Sequence, residues 1–253
     1  MPFTFAHPLA VIPLRKNRYF DFSALVVGSM SPDFEYFIHF RPYQVYGHSI
    51  VGQVLYNLPL VFVVLLVWHY VLKKQVIINL PKPYCTGYSN LLEKKWKINS
   101  IKSLVVLIYS ALIGMLSHLL WDSFTHVDGF CVTRIAFLSQ NINLINYKIP
   151  IYKILQHGST VIGLTIIILY LLRNKECPSK KGIIKVSKIS KFKFWTGILI
   201  IDIIIAGIVI ILNKDFTIGR IVVSFISGGF IAAIIISLLT KRRQVTDTGS
   251  FSR

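Results

Sequence analysis

The stretch "IKSLVVLIYSALIGMLSHLLWDSFTH", residues 101–126, decides the fold. Ile101–Trp121 carries a single Lys, Arg, Asp or Glu, Lys102. It approaches the ~20 apolar residues that an α-helix needs to cross a bilayer. Its end is unusual: His118, Asp122 and His126 follow one another at steps of four. Each step of four overshoots one helical turn by about 40°. Three ligating side chains therefore project from one helical face, where the chain leaves an apolar environment.

Four further runs have the same character: about Ile50–Leu72, Ile151–Leu172, Phe194–Leu212 and Ile218–Leu239. The chain is 54% hydrophobic and only 15% charged, with a mean hydropathy of +0.62. Soluble domains carry roughly a quarter charged residues. A water-soluble fold would have to bury five such runs with too little polar surface to cover them. The expected fold is an all-α polytopic membrane helical bundle of five transmembrane helices. "FSALVVGSM", residues 22–30, is apolar but too short to span, and reads as a short re-entrant helix that protein must cover. "MPFTFAHPLAVIPLRKNRYF" has no basic region before its apolar stretch and no small-residue cleavage site, unlike a cleavable signal peptide. Cys85, Cys131 and Cys177 show neither pairing nor CxxC spacing, so no disulfide framework or thiolate metal site is expected. The domain reading is a metal-site membrane domain over residues 1–172, two transmembrane helices over 194–240, and a basic, disordered tail over 241–253.

A net charge of +18 raises the question of nucleic acid, and the distribution answers it. Seven lysines fall in residues 73–102, eight basic residues in 173–193, and Lys241, Arg242, Arg243 and Arg253 in the tail. Residues 122–150 hold only Arg134 and Lys148, and residues 213–217 only Lys214. Basic residues alternate loop by loop, as the positive-inside rule requires. The two rich linkers and the C-terminus are expected in the cytoplasm, and residues 1–49, 122–150 and 213–217 outside. The basic excess is a topology signal that also meets anionic membrane lipid; no nucleic-acid partner is expected.

On that topology His7, Asp33, His48, His118, Asp122, His126 and His157 all reach the outer leaflet, although 150 residues separate the first from the last. Alone, His48 and His157 read as hydrogen-bonded helix-end residues and Asp33 as a helix cap. Polar groups at the membrane are costly and usually functional, so their convergence favours a shared metal site. His69 falls at the other end, beside Trp68 and Tyr70, as an interfacial residue. His39 has no partner at helical spacing and reads as structural. Stepping back by fours from His118 gives Gly114 and Ser110, a small-residue line that lets helices approach closely; Ser159 and Gly163 offer a matching pair.

Imidazole and carboxylate are the ligands of zinc and related divalent metals. His118 and His126 lie ~12 Å apart along the axis, too far to share one ion. The expected centre has two ions with His118 on one, His126 on the other and Asp122 between them. His7, Asp33, His48 and His157 complete the shells, and Glu35, His39 and Asp128 are outer partners. Such a pair acidifies water and clamps the oxygens of an in-line displacement, which suits phosphoester hydrolysis. Asp202, mid-span, is an ionisable group in the membrane and thus a functional candidate. The favoured reading is a protonated acid hydrogen-bonded to Ser224 or Ser227.

"MPFTFAHPLAVIPLR", "SALVVGSMSPDFEYF", "GHSI" and "HLLWDSFTH" together resemble a family of bacterial membrane proteins catalogued as domain of unknown function 4184. The resemblance is carried by residues 1 to about 160. That family is itself distantly similar to predicted membrane-bound metal-dependent hydrolases. The His118–x₃–Asp122 step also resembles helices of zinc-dependent phospholipase C enzymes, from which this chain departs in lacking a second His–x₃–Glu step. The resemblance implies the same seven ligands, His7, Asp33, His48, His118, Asp122, His126 and His157.

The functional expectation is a hydrolase of a lipid or membrane-proximal phosphoester, acting through metal-activated water with Asp122 and His126 as catalytic groups. The metal is zinc, with manganese or iron as alternatives, in one to three ions. The expected setting is the bacterial inner membrane, with the site on the extracytoplasmic side and membrane lipid as partner. The alternatives are non-enzymatic divalent-metal binding or transport, or a metal staple across helix ends. Oligomeric state is left open.

Overall fold

The computed structural model describes residues 3–144, 147–173 and 186–249. Five long helices dominate it: α2 (Ile50–Asn79), α3 (Ile101–Thr125), α4 (Ile151–Arg173), α5 (Lys188–Asn213) and α6 (Ile218–Gly249). Each is long and apolar enough to cross a membrane. Only 11% of the most apolar window of α4 or α5 is buried by protein, and 33% of that of α3 or α6. Faces of Ile, Leu, Val and Phe are left outward, as in helices that meet lipid. The chain is a multi-pass membrane protein. A short antiparallel hairpin, β1 (Asn141–Leu144) with β2 (Tyr147–Pro150), precedes α4 and pairs Asn141 with Pro150.

Helix starts are set by local chemistry. The Ser49 hydroxyl caps α2 by accepting from Gly52 N, and Ser100 with Ser103 forms a reciprocal capping box on α3. Three helices run past the apolar stretches that identify them. α2 continues to Asn79 through Lys73 and Lys74, α5 begins at Lys188, and α6 extends to Gly249. Lysine is a good helix former, and its long stem keeps the ammonium group in a polar layer. The stretch expected as a disordered tail is thus helical through Gly249. Residues 174–185 of the basic linker, and 250–253, lie outside the described residues.

The described residues group into two compact units. One comprises Met1–Phe34, Val45–Phe62 and Ile98–Arg173; the other Glu35–Gln44, Val63–Lys97 and Asn174–Arg253. This grouping divides α2 and does not follow the linear partition at residue 172, because helices associate by face and not by order.

In the first unit the N-terminal segment packs more extensively than expected. Helix α1 (Phe22–Met30) forms as its sequence indicates, capped by the Asp21 carboxylate on Ala24 N. Residues Thr4–Lys16, expected simply outside, form a 3₁₀ segment that runs beside α4. Pro8 and Pro13 lack the N–H that an α-helix would need there. Phe3 N donates to Thr160 Oγ1, the Ala6 side chain faces Gly163, and Arg15 reaches the Tyr170 hydroxyl. The segment thus tracks α4 from its middle almost to its end.

Helix α1 then lies on α3, and the two run parallel. Asp21 N donates to Ser110 Oγ, and the carbonyl of Ser29 meets the His118 ring, an offset of 89 residues both times. Between these points a Cβ on Gly114 would stand 2.4 Å from Leu25 O, and one on Gly28 2.3 Å from Ala111 O. Only glycine permits so close an approach at both places. The small-residue line of α3 therefore faces α1. Ser159 on α4 instead accepts a hydrogen bond from the Trp121 indole at 3.1 Å.

In the second unit α5 and α6 pack as an antiparallel pair. Ser227 Oγ donates to Phe37 O and Ser224 Oγ to Phe40 O, so both hydroxyls expected for Asp202 are engaged elsewhere. Asp202 instead lies against bare backbone: a Cβ on Gly228 would stand 2.6 Å from its Oδ1. The end of α2 is tied to α5 by the Trp195 indole on Asn79 O at 2.9 Å and by Lys191 on Leu80 O.

Candidate metal centre

Four segments of the first unit bring polar side chains to one place. His7 comes from the 3₁₀ segment, Asp33 from the turn after α1, His48 from the loop before α2, and His118 and Asp122 from the end of α3. His126 comes from the cap that follows α3, where the backbone is extended and not helical as the spacing of four implies. The Asp122 carboxylate is central. Its Oδ1 lies 3.6 Å from His7 Nε2, and its Oδ2 lies 3.0 Å from His48 Nε2, 3.2 Å from His118 Nε2 and 3.5 Å from His126 Nδ1. This is the position a shared carboxylate would hold. Asp33 Oδ1 lies 3.6 Å from His118 Nε2. Two overlapping sets, His7–His118–Asp122 and Asp33–His48–His118, each bring three ligand atoms within 4.8 Å of one another.

Backbone and hydroxyl groups aim these side chains. His118 Nδ1 donates to Ser29 O at 2.8 Å, which leaves the Nε2 lone pair pointing at Asp33 and Asp122. Thr4 Oγ1 donates to Asp33 Oδ2 at 2.6 Å and leaves Oδ1 toward His118. His126 Nδ1 engages the carbonyl of Asp122 at 3.1 Å. His48 is positioned from α2, where residues Gln53–Asn57 form a π turn. That turn presents two amides, Gln53 Nε2 and Asn57 Nδ2, each donating to Gly47 O at 2.7 Å. Gly52 is required beside them, since a Cβ there would meet Tyr46 O at 1.9 Å. Thr4 and Ser29 act through an oxygen across 29 and 89 residues, Gly47 across 6 and 10, and no sequence pattern marks them.

The electrostatics show strain that hydrogen bonds do not relieve. The His7 and His118 rings stack at 3.7 Å and 15°, an arrangement that two imidazolium ions would oppose. Burial, and next the adjacent His118, push His7 down to about 3. Burial pushes the Asp33 carboxyl up, against the pull of His118, and holds His126 below its usual range. His7 Nε2, Asp33 Oδ1, His118 Nε2 and Asp122 Oδ1 are all buried without an aligned hydrogen bond among the described residues. Buried polar atoms are rarely left so.

A cation would satisfy them together. Four donors about 2.0 Å from a tetrahedral zinc ion lie ~3.3 Å apart, and the separations above run from 3.0 to 3.6 Å. Each of the two triads, His7–His118–Asp122 and Asp33–His48–His118, fits a divalent metal in donor type and keeps its ligand atoms within 4.8 Å of one another. His126 stands at the rim, its side chain 29% exposed beside His48 at 24%.

His157 is not brought to the centre. It is exposed on α4, while Gln156 is the residue of that turn which faces inward. One residue turns a helix by 100°, enough to exchange an inward for an outward side chain. Of the expected outer partners, Asp128 is exposed, and Glu35 and His39 fall in the second unit, where His39, expected to lack a partner at helical spacing, meets Glu35 one turn earlier at 3.9 Å.

No curated protein matches this chain, and no solved structure does. A family model does match, over residues 1–238, and so extends through the last two helices, beyond the N-terminal motifs at residues 1 to about 160. The chain belongs to the family described as Domain of unknown function (DUF4184).

Proposed function

We propose that this protein is a membrane-embedded metal-dependent hydrolase acting on a phosphoester of a lipid or of a substrate held near the bilayer. The observation that carries the reading is a set of buried donors without aligned hydrogen bonds, combined with an open rim. Structural metal sites are closed by protein ligands, whereas catalytic ones keep a position accessible. Here His7, Asp33 and His118 form a closed floor, and His48 and His126 border the solvent-accessible side.

In this reading His7, Asp33, His48, His118 and Asp122 hold a divalent cation, zinc by ligand preference and manganese or iron as alternatives. A cation so held supplies Lewis acidity toward a phosphoryl oxygen and lowers the pKa of water. Asp122 orients the floor by facing four imidazoles at once. His126, its Nδ1 occupied by the Asp122 carbonyl, has Nε2 left to exchange a proton with a substrate oxygen at the rim. Thr4, Ser29 and the Gln53–Asn57 pair keep the donors in register.

The proposed setting is the bacterial inner membrane, with the centre outward and the basic linkers and C-terminus in the cytoplasm. The 3₁₀ segment supports this. It carries Arg15 to Tyr170, three residues before Arg173; Lys16 ends the segment and Arg18 follows it. These three basic residues therefore belong with the basic linker that α4 enters.

A second reading, a non-enzymatic metal staple, has one observation in its favour: the donors come from four separate segments. Transport has less, because the amides of Gln53 and Asn57, the first polar groups beyond the centre, are both committed to Gly47. The test is hydrolysis of phospholipids and generic phosphoesters by the zinc-loaded full chain in detergent, beside His126→Ala. The proposal expects turnover by the wild type, and retained metal with little turnover in the variant. No turnover, together with unfolding on chelation, would establish the staple instead.

A further inference from the structure

The second unit holds a cavity of about 310 Å³ with a different character from the metal centre. Five lysines line it: Lys73 and Lys74 from α2, and Lys94, Lys95 and Lys97 from the segment before α3. No carboxylate is among its described lining residues; Glu93, which precedes Lys94, is exposed and has interactions of its own. Like charges around one cavity repel, and an anion at its centre reverses that cost.

The walls are built. Lys73 Nζ donates to Lys94 O at 2.8 Å and fastens the lysine-rich segment to α2. The Trp96 ring stacks on His69 at 4.7 Å and 1°, with Tyr70 edge-on at 6.3 Å. Residues Trp68–Leu72 form a second π turn, which brings His69 and Tyr70 to the cavity that Lys73 also lines. Single π turns inside α-helices are frequent at functional sites. The volume lies at the small end of the ~300–1,000 Å³ range of small-molecule sites. Strong positive charge on one side and aromatic surface on the other match a phosphate carried on an apolar body.

We propose that this cavity is a phosphate-binding site that takes either the phosphate group of an anionic lipid headgroup or free inorganic phosphate. Lys74, Lys94, Lys95 and Lys97 supply charge, Lys73 holds the segment in place, and Trp96 and Tyr70 contact the group that bears the phosphate. The site is independent of the hydrolase reading, since none of its residues belongs to the metal centre.

The experiment uses the full chain in detergent and measures binding of dioctanoyl phosphatidylglycerol, dioctanoyl phosphatidylcholine and inorganic phosphate by thermophoresis. Two double variants carry the same loss of charge: Lys94→Gln with Lys95→Gln inside the cavity, and Lys82→Gln with Lys102→Gln outside it. The proposal expects the cavity variant to bind phosphatidylglycerol about tenfold more weakly or worse, and the outside variant to stay within about threefold of wild type. Competition by inorganic phosphate would identify the free phosphate group as sufficient, and its failure would identify the lipid as the source; either supports the site. Equal weakening in both double variants would overturn it, as would equal binding of phosphatidylcholine.

Discussion

The two π turns of helix α2 serve regions with opposite demands. At Gln53–Asn57 the extra residue turns two amides onto Gly47 and so places His48 among buried acids and imidazoles. At Trp68–Leu72 it turns His69 and Tyr70 onto a cavity lined by five lysines. The first region is buried and gathers the donors of the proposed cation; the second is open, rich in ammonium groups and suited to the proposed anion. The difference lies in depth. Carboxylates and imidazoles survive burial when they share one partner, whereas lysines keep their charge by reaching out of the apolar layer.

The comparison is sharpest if each region can be broken alone. The largest effect is expected for His118→Ala, which removes the donor common to both ligand sets. Zinc affinity should fall by more than about 100-fold, while phosphatidylglycerol binding is unchanged. Equal loss of both would indicate global unfolding. Gly114→Ala comes next, because its methyl group would press on Leu25 O and Ser29 N and lift α1 from α3. A cost of about 1–3 kcal/mol in stability is expected, read by thermal unfolding in detergent, together with weaker metal binding through the displaced Ser29 carbonyl. Gly207→Ala on α5 is the control, since nothing lies within 4 Å of its new Cβ; it should change stability by less than about 1 kcal/mol.

Thr4→Val leaves the fold intact and frees Asp33 Oδ2. About tenfold weaker zinc binding by competition titration is expected, the usual weight of a group that orients a ligand. The smallest effect is expected for His157→Ala, whose zinc affinity should stay within about twofold of wild type because the ring is exposed. A large loss there would return His157 to the ligand set and require α4 to rotate.

How much of this was legible depends on range. The five spans are properties of contiguous apolar residues, so their positions could be read directly, and only the ends shifted where lysines continue a helix. His118 and Asp122 share a face by spacing alone, and His7, Asp33 and His48 follow from alternating loop charge. The expectation for His157 rested on leaflet and not on face, and a 100° difference sent Gln156 inward instead. The small-residue line of α3 was visible, but its partner, α1, was not, because two glycines meeting across a helix pair leave no trace at either site alone. Prolines obscured the packed 3₁₀ run of Thr4–Lys16 by removing α-helical periodicity. The lysines of residues 73–97 read as a topology signal, and their gathering around one cavity needed the π turn and the stacked Trp96.

The most direct measurement is elemental analysis of the full chain, loaded with zinc in detergent and stripped of loose metal by gel filtration, with X-ray absorption on the retained ion. Wild type should keep at least about one zinc per chain with nitrogen and oxygen neighbours only, and Asp122→Ala should keep none. A wild type that emerges free of metal, or an Asp122→Ala variant that retains as much as wild type, would contradict the account.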